Sequence, residues 1–281
     1  MSRVVRISDD ALAIACGADQ VAAAFEAAGC TVERVSSWGM HWLEPLVEVD
    51  GVGYGPVTAQ DVASMLDGSS SKSIGAIADH PFIASQTRLT FERAGKTRPL
   101  DLNDYEATGG WAGLNRARAL TPSAVIEEVV ASGLRGRGGA GFPAGIKWRT
   151  VAGAEADIKY IVCNADEGDS GTFADRMLME GDPYCLLEGM AIAAYAVGAA
   201  KGFIYVRSEY PHAIAVLKEA IATEKPVIVD VPTYPYENCY PMIPAGGCNH
   251  EMILEDPPEL KKKQTSGAKA TPEDKDTVLT A

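Results

Sequence analysis

Between Lys159 and Ala222 the chain alternates short β-branched runs with long apolar ones: KYIVCNA, YCLLEGMAIAAYAVGAA, FIYVR and YPHAIAVLKEAIA. Strand-length segments that each lead into a helix-length segment have few ways to bury their apolar faces, and layered helices on a sheet is the common one. The pattern predicts α/β architecture. The first residues repeat the theme on a smaller scale. VVRI reads as a strand, GADQVAAAFEAAG as a helix closed by Gly29, TVERVSS as a second strand, PLVEVDGVGYGPV as a hairpin turning at Asp50-Gly51, and TAQDVASML as a helix capped by Thr58. A polar break, GSSSKS, sets the first boundary, so the chain divides into 1–68, a loop-rich connector 69–120, a second α/β domain 121–223 and a tail 224–281. In TPSAVIEEVVASG, Thr121 is the expected N-cap and Pro122 suits the first helical position. No internal repeat is found.

A length of 281 residues suits about two domains. With 47% hydrophobic and 22% charged residues the composition is that of a water-soluble protein, and no apolar run approaches the roughly 18 residues that cross a bilayer. The start, MSRVVRISDD, has no apolar core followed by a cleavage site, so no secretory signal is read and a cytoplasmic location is expected. The net charge of −13 excludes a general nucleic-acid surface, which must be basic to displace phosphate counterions. An anionic ligand must then be held locally. Cys16, Cys30, Cys163, Cys185, Cys239 and Cys248 contain no C-x-x-C pair and are read as free thiols, with Cys16 and Cys30 as small buried residues.

SGLRGRGGAGFPAGIKW, Ser132 to Trp148, is the most distinctive stretch. Gly136, Gly138 and Gly141 satisfy G-x-G-x-x-G, but a predicted helix rather than a strand precedes them and Phe142-Pro143 follows, against a Rossmann dinucleotide turn. The alternative is a nest, whose backbone N–H groups approach a phosphate or a flat ring while Arg135, Arg137 and Lys147 supply positive charge. A Cβ at Gly138 or Gly139 should disturb such a cradle. Gly145 lies beyond Pro143, and alanine there is expected to be milder. The second stretch, CNADEGDSGTFADR, places Asn164, Asp166 and Glu167 where an apolar strand ends, the usual exit for ligand-binding groups in an α/β sheet. An amide and two carboxylates there can bond the polar edge of a flavin, ribityl or ribose hydroxyls, or a carboxamide.

These two stretches, followed by EGDPYCLLEGMAIAAYAVGAAKGFIYVRSEYPHA, closely resemble the FMN-carrying, NADH-binding subunit family of respiratory complex I, over about Leu100 to Ala222. The same module occurs in the beta subunit of NAD-dependent molybdenum formate dehydrogenases and the diaphorase subunit of NAD-reducing hydrogenases. The resemblance implies FMN and NAD as cofactors, and hydride exchange between them with electrons passed to or from iron–sulfur centres of other subunits, either with a molybdenum subunit or with a hydrogenase. By family position Gly136, Arg137, Gly138, Gly139, Gly141 and Lys147 line the FMN, Asn164 and Asp166 bond its polar parts, Glu167 and Phe142 contact NAD(H), and Tyr210 closes the flavin pocket.

SSWGMHWLEPLVEVDGVGYGPVTAQDVASML resembles the thioredoxin-like domain that carries a [2Fe-2S] cluster in relatives, here without the cluster cysteines. Ser37, Trp38, His41 and Trp42 occupy their neighbourhood, and Cys16 and Cys30 cannot make a four-ligand set. The implied fold is a thioredoxin-like N-terminal domain followed by an α/β flavin- and NADH-binding domain that is not doubly wound. The cluster-less first domain points to the formate dehydrogenase beta subunit. After Ala222 the family's second flavin loop and its [4Fe-4S] cysteines are not found, and Cys239, Cys248 and His250 match no zinc or iron–sulfur spacing. The competing expectation is a non-catalytic assembly subunit that keeps the fold without flavin, its TYPYENCYPM segment lying across a partner.

Overall fold

The computed structural model describes residues 2–137, 139–169 and 171–222, together with the backbone of 277–280. The tail features singled out above, Cys239, Cys248, His250 and TYPYENCYPM, lie outside the described residues, as does Gly138.

β1 (Val4–Ser8) and β2 (Thr31–Val35) run parallel in continuous register, joined by α1 (Ala11–Ala15) and α2 (Ala18–Ala27). β3 (Val47–Val49) pairs antiparallel with β1, and the Asp50-Gly51 turn leads to β4 (Val52–Tyr54), antiparallel to β3. α3 (Val62–Leu66) follows a 3-10 turn capped as the sequence suggests: the Thr58 N–H and hydroxyl both donate to Asp61 Oδ2, at 2.7 and 2.8 Å. β5 (Ser73–Gly75) then joins the edge beside β4, so the sheet, of order β2-β1-β3-β4-β5, runs on past the polar break at Gly68. The alternating inward residues Val5 and Ile7, with Val47 and Val49, close over Phe25 and Val21 of α2 and Met65 of α3, forming the first core.

α4 (Pro81–Ala84), α5 (Leu102–Ala107) and α6 (Ala112–Arg118) form the connector, and α7 (Pro122–Ala131) begins the second domain with Thr121 Oγ1 accepting from Ala124 N–H. Beyond the glycine loop come α8 (Ala144–Gly153), β6 (Tyr160–Ala165), α9 (Ala174–Gly181), α10 (Pro183–Val197), β7 (Lys201–Val206) and α11 (Pro211–Ala222). β6 and β7 are parallel, from Tyr160 opposite Lys201 to Ala165 opposite Val206, and β8 (Thr277–Thr280) pairs antiparallel with β7. One face of β6–β7, carrying Ile161, Cys163, Ala165, Ile204 and Val206, packs with Met190 of α10 and Ala213, Leu217 and Ile221 of α11. Tyr160 and Val162 point the other way and are 47% and 64% exposed.

The two α/β units meet through named contacts. Ala11 N–H donates to Glu180 Oε2 at 2.9 Å and His212 Nε2 donates to the Asp9 carbonyl at 3.0 Å, while Arg93 of the connector pairs with Asp182 at 3.1 Å. Contrary to expectation, Cys16 is exposed and Cys30 only half-buried. Cys16 is the C-cap of α1, a five-residue helix of which Ala13 alone is buried.

Candidate functional site

α7 ends at Ala131, and the next residues fold back on themselves. Ala144 N–H donates to Leu134 O and Gly136 N–H to Phe142 O, both at 2.8 Å, so two short arms bridged at Arg135 and Pro143 close a loop whose tip is 137–141. Gly139 and Gly141 have φ of +88° and +57°, which side chains resist. The arginines turn onto the loop's own carbonyls: Arg135 Nε donates to Gly141 O at 2.5 Å, and Arg137 Nη1 donates to Arg135 O. Among the described residues the N–H groups from Gly139 to Phe142 have no backbone partner, while the carbonyls of Arg135, Gly141 and Phe142 are engaged. The tip is therefore donor-rich, and a Cβ on Gly139 would meet nothing within 4 Å. These features fit an anion held by backbone N–H groups. Phe142 is 50% exposed beside the loop, and Lys147 is exposed on the first turns of α8.

The loop leaves a helix, as read, but it also opens one: α8 starts at Ala144, directly after Pro143. Gly145 is a tightly packed position. A Cβ there would stand 2.5 to 2.8 Å from Val130 Cγ2, N and Cα, so the hydrogen side chain is what lets α8 approach α7.

At the C-terminal end of β6, Asn164 Oδ1 accepts from Asp166 N–H at 3.2 Å, which turns the chain out of the sheet. Glu167 follows with φ +46°. Its Oε1 accepts from Asp175 N–H at 2.9 Å, and its Oε2 from Arg176 N–H at 3.1 Å and the Tyr210 hydroxyl at 3.2 Å. Glu167 thus caps α9, whose preceding Phe173, at φ +52°, offers no side-chain cap of its own. Arg207 Nη1 donates to the Glu167 carbonyl at 3.3 Å. The Arg176 guanidinium lies 4.3 Å from the Phe173 ring centre and 5.8 Å from that of Tyr210, and Arg207 lies 5.9 Å from Tyr210.

Electrostatics follow from this crowding. Burial, then the Glu167 charge, raises the Tyr210 phenol, and the same two causes raise the Asp175 carboxyl. Burial pushes the Cys163 thiol up to about 11, so at neutral pH it is a neutral sulfhydryl and no nucleophile.

The structure therefore joins Asn164 to Asp166 and Glu167 to Tyr210, and gathers Gly136, Arg137, Gly139, Gly141 and Phe142 in one loop. Among the described residues no hydrogen bond or ion pair links the loop to the β6 exit. Phe173, Arg176 and Arg207 escaped sequence reasoning. Their only signal was proximity in sequence to the acidic stretch and to Tyr210. A groove of about 590 Å³ lined by Trp111, Tyr184, Met190, Ile161 and Gly202 lies at the N-terminal ends of β6 and β7. Parallel strands present ligands at their opposite, C-terminal ends, so the exit at Asn164 is the better site. Among the described residues no group of three or more His, Cys, Asp or Glu side chains is placed to hold a metal ion.

Residues 129–242 match the Nuo51 FMN-binding domain family, which takes in the glycine loop and the β6 exit and reaches past Ala222 into the tail. The HndC component of the NADP-reducing hydrogenase of Solidesulfovibrio fructosivorans is 52% identical over 136 residues, 48% of this chain and 28% of that protein. An NADH-quinone oxidoreductase component of Rhizobium meliloti is 52% identical over 122 residues, 43% of this chain and 29% of its own. A solved NAD+-reducing [NiFe]-hydrogenase in the air-oxidized state aligns with 79% of this chain and 41% of its own at 27% identity, with a TM-score of 0.39, too low to equate the folds. The chain spans less than a third of the length of the Solidesulfovibrio and Rhizobium relatives.

Proposed function

We propose that the chain, whose residues 129–242 match the Nuo51 FMN-binding domain family, is the NADH-oxidising flavoprotein subunit of a larger oxidoreductase. The observation that carries this is the glycine loop inside the matched segment, with its left-handed Gly139 and Gly141, its exposed tip and its N–H groups that have no backbone partner among the described residues. Bound FMN supplies the exchange of a hydride with NAD(H) and the release of electrons one at a time to iron–sulfur centres of partner subunits.

The chain's own residues bind and orient. Arg137, Gly139 and Gly141 offer backbone donors to the phosphate, Gly136 and Gly138 line the FMN beside them, with the Gly136 N–H engaged by Phe142 O, and Lys147 and the free donors of the two arginines add charge. Asn164 and Asp166 address the polar parts of the flavin. The β6 face that bears Asn164 also bears the exposed Tyr160 and Val162, an apolar surface suited to a flat ring. Glu167 bonds the nicotinamide nucleotide with the acceptor capacity left after its three protein donors, and Phe142 stacks on it. Tyr210 closes the pocket by holding Glu167 in place.

The N-terminal unit is read as thioredoxin-like, supported by the order β2-β1-β3-β4 with β1 parallel to β2 and antiparallel to β3. The domain limits 1–68, 69–120 and 121–223 are part of this reading, except that β5 carries the first unit on to Gly75. A beta subunit of NAD-dependent formate dehydrogenase is the finer assignment, resting on the missing cluster cysteines of the first unit; co-purification of a molybdenum subunit rather than a hydrogenase subunit is its test. A cytoplasmic setting is part of the proposal. No described helix is long and apolar enough to cross a membrane.

Gly139→Val tests the core of the proposal. Its branched Cβ occupies the open space over the loop and strains a φ of +88°. The expected outcome is loss of the yellow flavin absorbance per folded chain, with circular dichroism unchanged. Parental FMN content in Gly139→Val, or a parent chain that takes up no FMN, would favour the assembly-subunit alternative.

A further inference from the structure

α9 is fastened at both ends to different things. At its start the N–H groups of Asp175 and Arg176 hold the Glu167 carboxylate. In its last turn Glu180, 1% exposed, accepts the first N–H of α1 from Ala11 at 2.9 Å. α11 rests on the same corner: His212 Nε2 bonds the Asp9 carbonyl at 3.0 Å, and Tyr210, two residues earlier, donates to Glu167 Oε2. Both elements that grip Glu167 therefore lean on the N-terminal unit, one at Ala11 and the other at Asp9.

The connection between the ends is stiff. Five residues of α-helix, roughly 7.5 Å, separate Asp175 from Glu180, and a helix this short moves as a rod. Arg176 lies over the rings of both Phe173 and Tyr210, so the start of α9 and the start of α11 share one packed unit. Arg176 Nε and Glu180 Oε1 stand 3.9 Å apart, beyond hydrogen-bond length, and both are buried without a hydrogen-bond partner. Glu180 thus takes its hydrogen bond from Ala11 of the N-terminal unit, while Arg176 of its own helix adds a longer ion-pair contact.

We infer that the Asp9–Ala11 corner is the seat that fixes Glu167, with Glu180 and His212 as positioning residues for nicotinamide-nucleotide binding. The inference rests on the proposed reading of Glu167 as a nucleotide contact. It gives the N-terminal unit a part in the reaction that needs no iron–sulfur cluster. A displacement of α1 against α9 tilts the Asp175 and Arg176 donors, and the carboxylate turns with them.

A double-mutant cycle on the full, FMN-reconstituted chain, read by NADH titration, decides the matter. Glu180→Ala is expected to weaken NADH binding roughly three- to tenfold. Glu180→Gln keeps an acceptor for Ala11 N–H and should lose less than about twofold. In a Glu167→Ala background the Glu180→Ala penalty should vanish, because the residue through which it acts is gone. Hydrogen exchange of the amides in 174–177 should quicken in Glu180→Ala while that of β7 is unchanged. A penalty that persists undiminished beside Glu167→Ala, when that substitution alone weakens NADH binding, overturns the positioning role and leaves the Glu167 reading standing. Equal NADH affinity in Glu167→Ala and the parent, or none in the parent, removes the Glu167 reading and the inference with it. Should Glu180→Ala not fold, His212→Ala enters the same cycle with the same expectations.

Discussion

At Gly145 the side chain is a hydrogen because Val130 leaves room for nothing else. A methyl group there would sit 2.6 and 2.8 Å from the Val130 backbone N and Cα, atoms that cannot rotate away as a side chain can. Gly145→Ala should push α8 off α7 and lower stability by about 1–3 kcal/mol, read as a fall in denaturant midpoint. The sequence places Gly145 outside the cradle, so alanine is expected to spare cofactor binding, but position after Pro143 says nothing about the neighbouring helix. Glu44 is a second residue whose behaviour only packing explains. It is buried, accepts from Ser8 Oγ at 2.8 Å, Ser37 Oγ at 3.3 Å and Leu46 N–H at 2.8 Å, and burial raises its pKa from 4.5 to about 7. Folding therefore favours the protonated form: its contribution is whole below pH 4.5 and is lost as pH climbs through about 7. Glu44→Gln, with its amide oxygen toward Leu46 and its nitrogen toward the two hydroxyls, should flatten the decline in Tm between about pH 5 and 8. Identical pH profiles in variant and parent would show that Glu44 is not the source. Asn164, Asp166 and Glu167 were legible as a strand exit because their chemistry is local; the Glu167 partners Asp175 and Tyr210 were not, because those contacts depend on where α9 and α11 dock.

Among the elements, those with strong periodicity were readable and those interrupted by glycine were not. α2, α7, α10 and α11, and the strands β1, β2, β6 and β7, follow from apolar spacing and from caps at Thr121 and Pro122. α8 carries Gly145 and Gly153, and α9 is only eight residues long with its large apolar residues bunched at Met177–Met179, so neither announced itself. β5 is three residues long and exists only as an edge for β4. The connector reads as loop because α5 and α6 are short and are held from outside. Glu188, on α10 and nearly buried, accepts from the Tyr105 hydroxyl of α5 and from the N–H groups of Trp111 and Leu114, the last two at 2.8 Å. Trp111, at φ +64°, gives α6 no side-chain cap, so the carboxylate of another helix serves instead. Glu188→Ala leaves a buried hydroxyl and two backbone donors without partners and should cost roughly 2–4 kcal/mol, measured by denaturant unfolding. An undiminished midpoint would mean that water replaces the carboxylate at no cost.

For the whole molecule, the sequence divides the chain into units but not the way they are joined, since contacts between distant residues leave no periodic trace. Arg93 and Asp182 illustrate this. Their side chains are 17% and 11% exposed, 3.1 Å apart, and 89 positions separate them. Arg93 also lies 4.7 Å from the Tyr105 ring centre and donates to Thr108 Oγ1 at 3.0 Å, so one guanidinium ties the connector to the start of α10. Burial raises the Asp182 carboxyl and Arg93 opposes that shift. Removing Arg93 strips the opposing charge and leaves a carboxylate at the junction with no cation beside it. Arg93→Ala should cost on the order of 3 kcal/mol near neutral pH, because the partner left behind stays charged and poorly solvated. The deficit should shrink on acidification: without Arg93 the folded-state pKa of Asp182 rises further, the folded protein takes up a proton that the unfolded chain does not yet bind, and the unpaired charge disappears. Thermal melts of parent and variant from about pH 5 to 8 provide the measurement. Converging melting temperatures at low pH are expected, and a constant gap would mean that the loss comes from the Arg93 packing on Tyr105 rather than from the stranded carboxylate.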